Sequence, residues 1–288
     1  MSSIKEIRNR IKAIRNTAKI TNAMEMVAAS KMKKAQNLTL KNRPYSDATY
    51  EVIFNLAREQ NISHPYLNAR PKATRHLLVV ISSDKGLCGS FNAAVIRKAA
   101  AYIRAHESTD LITIGKKSQN YFKRFNKNII ATYTNFPIHP RTADIRPIIH
   151  SMTEQYLSGD YKEVAVVYTD FISTLKQSPN SVSLLPLGID ITRENKSDKP
   201  VTIKFEPNPK EVINFVVPRI LEIKLYQMIL ESISSEQSAR MLAMKNATDA
   251  ANDLIDELNL TYNSVRQANI TQELAEISAA TQSKERIE

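Results

Sequence analysis

Apolar residues recur at steps of three and four positions at both ends of the chain. This spacing places them on one face of a helix and is typical of a coiled-coil seam. The C-terminal stripe is rich in alanine, which lets two helices approach closely. The N-terminal seam runs through Ile4, Ile7, Ile11, Ile14 and Ala18 and then drifts to Ile20, Met24 and Val27, and the C-terminal seam runs through Ala243, Ala247, Ala250, Leu254, Leu258, Thr261, Val265 and Ala268.

Helix-breaking residues are confined to the middle of the chain. All five glycines and all twelve prolines lie between Pro44 and Pro218. An interior glycine costs a helix about 1 kcal/mol and an interior proline about 3 kcal/mol, so each end can form one long helix. We predict an N-terminal coiled-coil helix in residues 1–58 and a C-terminal one in residues 209–280. Pro218 is expected to start or kink the second helix.

The two ends carry opposite charge. Residues 1–45 hold eleven Lys or Arg and two acidic residues, whereas residues 219–288 hold seven basic and eleven acidic residues. Opposite charges favour pairing of the two helices. We therefore predict an antiparallel coiled coil with a globular domain inserted between its two helices.

The middle of the chain alternates strand-like and helix-like segments. The apolar run 76–82 predicts a buried strand, and a glycine-containing turn at 84–89 leads into a helix from about Ser90. The fold class is therefore α/β, a long antiparallel coiled coil of N- and C-terminal helices with an inserted Rossmann-like α/β domain at residues 74–200. Further predictions are strands at 111–114, 129–133 and 164–169, an edge strand at 182–187, helices at 117–125 and 143–157, and a polar loop at 195–200.

Composition describes a folded, basic protein. The net charge of +11 and the pI near 9.6 indicate an acidic partner, which could be nucleic acid, anionic lipid or an acidic protein surface. The single cysteine, Cys88, excludes an intrachain disulfide and a cysteine-rich metal site, and a reducing compartment is expected. No stretch approaches the roughly 20 apolar residues that span a bilayer, and the N-terminus has no signal-peptide core. We expect a soluble or peripheral protein.

No catalytic, cofactor or metal site is recognisable in the sequence. Gly86 and Gly89 stand where phosphate loops occur, but neither GxGxxG nor GxxxxGK[ST] is present, and a tight turn is the commoner role of glycine there. Cys88 has no base beside it and is interpreted as a small buried thiol. The five histidines show no metal-ligand spacing. The basic run 31–34 lacks interleaved aromatic residues, which favours a solvated helix face or docking to an acidic protein surface over binding of single-stranded nucleic acid.

Several longer segments resemble one family of proteins. Residues 4–11, which read IKEIRNRI, and residues 16–31, which read NTAKITNAMEMVAASK, closely resemble the N-terminal helix of ATP synthase gamma subunits of the bacterial F-type. The resemblance extends over essentially the whole chain. It continues at residues 43–45, 84–89, 235–249 and 262–274.

This resemblance implies a shaft that performs no chemistry itself. The two helices would turn inside a hexamer of alternating alpha and beta subunits, whose nucleotide sites lie in those subunits, so no cofactor is expected. The globular domain would sit with the epsilon subunit on the membrane c-ring, where proton flow turns the rotary motor. The chain would be peripheral, without a transmembrane segment, at the cytoplasmic face of the bacterial inner membrane.

Six positions are assigned to subunit contacts by this resemblance alone. Reversing the charge of Arg240 is expected to lower coupling more than assembly. The charged tail at 281–288 departs from the small apolar ending of the family and is expected to fray. The assigned contacts are Met24, Arg240, Arg266, Gln267, Thr271 and Glu273.

Two other functions stay open on the residues alone. A basic coiled-coil protein could bind nucleic acid through its N-terminal helix, with an affinity that falls steeply with salt; the acidic C-terminal helix speaks against it. A small enzyme could be built on the α/β domain, which would need a titrating group with a shifted pKa in a cleft.

Overall fold

A computed structural model describes residues 4–58, 65–67, 70, 73–187 and 209–285. The predicted loop at 195–200 and the last three residues of the predicted fraying tail lie outside these ranges. In chain order the elements are α1 Ile4–Arg58, β1 Arg75–Ile81, α2 Phe91–Ala105, β2 Thr109–Ile114, α3 Lys116–Arg124, β3 Ile129–Tyr133, α4 Thr142–Leu157, β4 Tyr161–Phe171, β5 Gln177–Leu185 and α5 Pro209–Glu285.

The long C-terminal helix contains Pro218 in its interior and does not begin there. Helix α5 starts at Pro209, and Pro218 lies inside it. A proline at the first helical position is favourable because its missing N–H needs no partner there. The interior Pro218 is tolerated next to buried apolar neighbours, among them Val217 and Ile220, whose packing offsets the lost backbone hydrogen bond. Of the two expectations for Pro218, that it starts the helix is wrong, and that it kinks the helix stays a prediction.

Two compact units make up the chain, Met1–Val27 with Met241–Glu288 and Ala28–Arg240. In the first unit, α1 and α5 contact each other through a hydrogen bond of 2.6 Å between the hydroxyls of Thr21 and Thr248. A single helix cannot bury its own side chains, so the buried stripe of each helix marks the face that meets the other. Both long terminal helices of the predicted coiled coil are present.

The buried stripe of α1 does not drift after Ala18. It continues at Thr21, which is 9% exposed, whereas Ile20 and Val27 are 61% and 52% exposed. The prediction that the seam drifts to these two residues is wrong. The seam instead includes the polar Thr21, because its hydroxyl is hydrogen-bonded to that of Thr248. The drift instead marks a second apolar face of the helix.

The stripe of α5 differs from the predicted one by one residue at most positions. Ala250, Leu254, Thr261 and Ala268 are exposed, whereas Leu258 and Val265 are half-buried as expected. The residues that face inwards step alternately by four and three, the spacing of a coiled-coil heptad. They are Met244, Thr248, Ala251, Ile255, Leu258, Tyr262 and Val265.

The second unit contains a five-stranded sheet in the order β3-β2-β1-β4-β5. The first four strands of this order are parallel, and β5 pairs antiparallel with β4 at the edge. Consecutive residues of β1 pack on opposite faces: Leu78 and Val80 meet α2 and α3, while Leu77 and Val79 meet α4 and α5. Burial of both faces explains the continuous apolar run in the sequence. The predicted Rossmann-like α/β domain is confirmed.

One buried polar cluster joins several strands of this sheet. The buried Asp110 of β2 accepts hydrogen bonds from Tyr161 at 2.6 Å and from Asn128 at 2.8 Å, and it pairs with Arg75. Burial and the adjacent carboxylate raise the pKa of the Tyr161 hydroxyl, which therefore stays protonated as a donor. The carboxylate ties the first strand, the second strand, the start of β4 and the loop before β3 together.

Candidate subunit interface

The coiled-coil seam ends before α5 does. All thirteen side chains from Arg266 to Ser278 are exposed. The next seam positions after Val265 are polar, namely Asn269, Gln272 and Glu276, and Gln272 donates to Glu276 at 3.0 Å along the helix surface. No apolar seam therefore continues on this face of α5.

An apolar stripe begins on another face of the same segment. Ile270, Leu274 and Ile277 are spaced by four and three residues, so they lie within roughly 60° of arc on a helix of 3.6 residues per turn. They are 48%, 62% and 64% exposed. Single exposed apolar residues need no explanation, but a stripe along one helical face marks a surface that binds another protein.

The four polar residues assigned to this segment by resemblance border the apolar stripe. Helical spacing places Arg266 and Glu273 along one side of it and Gln267 and Thr271 along the other. All four side chains are exposed, and Thr271 bonds to the backbone carbonyl of Gln267 at 2.9 Å. An apolar centre with a polar border is the usual arrangement of a protein–protein interface.

Helix α1 carries a second exposed apolar face in the same unit. Ile20, Met24 and Val27 share one helical face by their spacing of four and three. Met24 is half-buried, whereas Ile20 and Val27 are 61% and 52% exposed. The structure therefore places Met24 at the margin of an apolar surface that the described residues do not fully cover.

Arg240 lies in the other unit and is mostly covered by its own chain. Its side chain is 11% exposed and pairs with Glu236 at 2.8 Å. It also donates to the backbone carbonyls of Lys85 and Gly86, at 3.4 and 3.2 Å. Burial raises the pKa of Glu236, and the nearby Asp84 raises it further. Arg240 and Lys31 of the basic run lower it, but the net shift is upward. Arg240 thus ties α5 to the turn at 84–89, a contact that sequence reasoning missed.

That turn is closed by its own polar groups. The Ser83 hydroxyl donates to the Lys85 carbonyl at 2.6 Å, and the Asn92 amide of α2 lies 3.1 Å from the Cys88 sulfur. Cys88 is buried, and burial raises the pKa of its thiol, the opposite of what a nucleophile requires. Gly89 adopts a positive φ of 54°, the tight-turn role expected of glycine.

Two histidines distant in sequence meet at the opposite end of β1. His76 and His106 have ring centroids 4.2 Å apart, and His76 Nδ1 lies 3.4 Å from Glu163 Oε2. Burial and the neighbouring His106 lower the pKa of His76. Sequence spacing could not reveal this cluster, because a strand start, a helix end and a different strand supply its members.

The comparisons with known proteins agree on one family. The family described as ATP synthase matches residues 3–283. The chain is 41% identical over 285 residues to the ATP synthase gamma chain of Roseiflexus castenholzii, with 97% of each chain covered. The chain belongs to the ATP synthase gamma-chain family.

Solved structures related to this gamma-chain family member support the same fold. The central stalk and c-ring structure of the Tetrahymena thermophila mitochondrial ATP synthase contains a chain with a TM-score of 0.62 and 26% identity, covering 79% of this chain and 99% of that one. A chain of the Euglena gracilis mitochondrial ATP synthase has a TM-score of 0.67 and 19% identity, covering 97% and 94%, and shows the fold. Among the described residues of this gamma-chain family member, no helix has both the length and the apolar character needed to cross a membrane.

Proposed function

We propose that this chain is the central rotor shaft of an F-type ATP synthase. It transmits torque between the proton-driven c-ring in the membrane and the catalytic hexamer of alpha and beta subunits, during synthesis or hydrolysis of ATP. Membership of the gamma-chain family supports this role, as does the likeness to a central stalk chain. The alternative of a basic coiled-coil protein that binds nucleic acid was suggested by charge alone. Membership of the gamma-chain family explains the basic charge without nucleic acid.

The apolar stripe at the end of α5 is the observation that carries the proposal. Ile270, Leu274 and Ile277 are exposed in the part of α5 that lies beyond the end of the coiled-coil seam. A surrounding hexamer provides the apolar lining that covers them, and the polar border formed by Arg266 and Glu273 on one side contacts its loops. Gln267 and Thr271 serve the same contact from the other side.

A shaft of this kind works because it is asymmetric. A ligand or partner shifts a conformational equilibrium only by as much as it binds two states differently. Helix α5 presents apolar side chains on one face and polar side chains on another, so each of three catalytic subunits meets a different surface at any moment. Rotation then changes the preferred state of each catalytic site in turn.

The shaft itself is proposed to carry no catalytic group. The nucleotide sites belong to the other subunits, and this chain also contacts the epsilon subunit and the c-ring. Its place is peripheral, at the cytoplasmic face of the bacterial inner membrane. Met24 and Arg240 are proposed as further subunit contacts, since the basic balance of α1 suits an acidic protein surface.

The test is reconstitution of a tagged full-length chain with alpha and beta subunits. Variant Leu274→Asp places a charge in the apolar stripe, and Ala275→Asp places the same charge on the next residue, which points away from the stripe. Both positions are exposed, so neither change disturbs the fold of the chain. We expect Leu274→Asp to lower ATP hydrolysis coupled to rotation severalfold, because a charge would be desolvated in the interface.

Ala275→Asp is expected to retain coupled activity close to that of the wild type. Equal loss in the two variants would contradict the assignment of the interface to the apolar stripe. A wild-type chain that does not co-purify with alpha and beta subunits, or that hydrolyses ATP alone, would contradict the shaft role.

A further inference from the structure

We propose that His76, His106 and Glu163 form a binding site for a divalent transition-metal ion, with Zn²⁺ as the best match. One ligand atom from each of the three side chains lies within 4.8 Å of the other two. The site belongs to the α/β unit and is separate from the surfaces assigned to rotation. The site offers a metal ion two imidazoles and one carboxylate as ligands.

The backbone brings two of the three ligands together through strand register. His76 of β1 and Glu163 of β4 are direct partners in the parallel pairing of these strands. Paired residues of neighbouring strands project to the same face of a sheet. Their ligand atoms, His76 Nδ1 and Glu163 Oε2, are 3.4 Å apart, which matches the roughly 3.4 Å between two ligands on a tetrahedral zinc with bonds near 2.0–2.2 Å.

The third ligand comes from the end of α2. His106 is the C-cap residue of that helix, and its backbone N–H donates to the Tyr102 carbonyl at 3.1 Å. The Thr109 hydroxyl donates to the His106 carbonyl. These two bonds fix the backbone of His106, so its ring is brought to the metal by rotation of the side chain alone.

Hydrogen bonds around the cluster match those of metal-binding histidines. His106 Nδ1 lies 3.0 Å from the Tyr102 carbonyl, and a proton on Nδ1 leaves the lone pair on Nε2. Donation of the second ring N–H to a backbone carbonyl is the usual way in which a ligating histidine is oriented. The Tyr102 hydroxyl donates to Glu163 Oε2 at 3.1 Å, the equivalent outer contact for the carboxylate.

Charge also favours a cation at this position. The Glu163 carboxylate lies 3.4 Å from His76 Nδ1 and supplies a negative charge that attracts a cation. Imidazole nitrogen with carboxylate oxygen is a donor set for zinc and its neighbours rather than for calcium or magnesium. The partial exposure of His106 and Glu163 leaves an entry path and a fourth position for water.

The experiment uses the full-length chain without a histidine tag, stripped of metal with a chelator. Zn²⁺ is titrated calorimetrically and by competition with a chromophoric chelator, and Co²⁺ is added to record the visible absorption of a tetrahedral site. Variant His106→Ala removes one ligand at a half-exposed helix end, and circular dichroism checks that the fold is retained. Glu163→Gln removes the anionic ligand while keeping its shape.

The chain offers a matched control in His150→Ala. His150 also has a carboxylate 3.5 Å away, Glu154 one turn along α4, but no third ligand among the described residues. We expect one Zn²⁺ per wild-type chain, with affinity reduced roughly 100-fold by either ligand variant and unchanged by His150→Ala. Bound Zn²⁺ should raise the midpoint of thermal unfolding in the wild type and not in His106→Ala. Absence of stoichiometric Zn²⁺ binding, or equal affinity in wild type and His106→Ala, would overturn the proposal.

Discussion

Replacement of Arg240 by methionine should destabilise the α/β unit in a pH-dependent way. The change keeps most of the side-chain volume but removes the positive charge that pairs with Glu236 at 2.8 Å and bonds to the turn at 84–89. Removing one partner of a buried ion pair costs about 3–5 kcal/mol, because the remaining charge stays buried without compensation. Glu236 keeps 18% exposure, so we expect the lower end, about 3 kcal/mol at pH 8.

The sign of the pH dependence follows from the pKa of Glu236. Burial raises this pKa in the folded state, with Asp84 adding to the rise, while Arg240 and Lys31 oppose it. Above the unfolded pKa the folded protein therefore binds more protons than the unfolded chain, and the free energy of unfolding falls as pH rises through the folded pKa. Without Arg240 the folded pKa rises further. The loss in Arg240→Met should be clearly smaller at pH 5 than at pH 8.

Urea unfolding of the full-length chain, followed by circular dichroism at both pH values, measures these free energies. The double variant Arg240→Met with Glu236→Gln leaves no buried charge, so it should recover most of the stability lost at pH 8 and show little pH dependence. An equal loss at both pH values in the single variant, or no recovery in the double variant, would refute the ion-pair reasoning.

The same double variant separates the internal role of Arg240 from a contact with another subunit. Arg240→Glu is expected to lower coupling more than assembly, but it also places a second carboxylate beside Glu236. If coupling in reconstituted complexes stays low in Arg240→Met with Glu236→Gln, where the chain itself is stable, the loss arises at a subunit contact. Recovery of coupling together with stability would assign Arg240 to the internal tie alone.

Three further predictions concern stability measured by unfolding of the full-length chain. Thr248→Val should lower the free energy of unfolding by about 0.5–1.5 kcal/mol, because the Thr21 hydroxyl loses its hydrogen-bond partner in the seam. Adding Thr21→Val should restore part of this stability. A double variant less stable than either single variant would contradict the prediction. Gly115→Ala should cost about 2–5 kcal/mol, because φ is +95° and the new Cβ would lie 2.3 Å from the Ser82 carbonyl oxygen; a neutral result would contradict that geometry. Tyr161→Phe should cost about 1.5–3 kcal/mol by removing a donor to its buried carboxylate partner in β2, and a loss below 0.5 kcal/mol would count against the bond.

The α/β domain was predictable because its elements are local and strongly patterned. The run 76–82 is apolar without alternation, a pattern typical of a strand buried on both faces, and β1 occupies Arg75–Ile81. The antiparallel edge strand was expected from residue 182 but begins at Gln177. The added residues include Pro179, which lacks a backbone donor and is tolerated on an edge strand.

The phase of the coiled-coil seam was harder to predict than its existence. Neighbouring stripes on one helix differ by about 100° of rotation, and alanine packs acceptably on either stripe. On α5 the buried stripe runs through Met244, Thr248 and Ala251 rather than through Ala247 and Ala250. Only the opposite helix decides between the two, since Thr248 is preferred where Thr21 can bond to it.

Long-range polar contacts left no signal in the sequence. Arg240 follows Gly86 by more than 150 positions, so its bond to that turn is not deducible from spacing. The same holds for His76 and Glu163, which meet only because β1 and β4 are neighbours in the sheet. The order in which parallel strands pair therefore had to be known before either contact could be seen.

The misplaced N-terminal seam has a functional cause under the proposed shaft role. A sequence shows which residues are apolar but not whether their own chain or another chain buries them. Ile20 and Val27 lie on a second apolar face of α1 and are exposed, and Ile270 and Leu274 are exposed in the same way on α5. Two long helices of one pair can bury one stripe each, so apolar residues beyond that stripe are left for partner subunits. The error in the seam prediction therefore falls where the shaft is proposed to meet the hexamer.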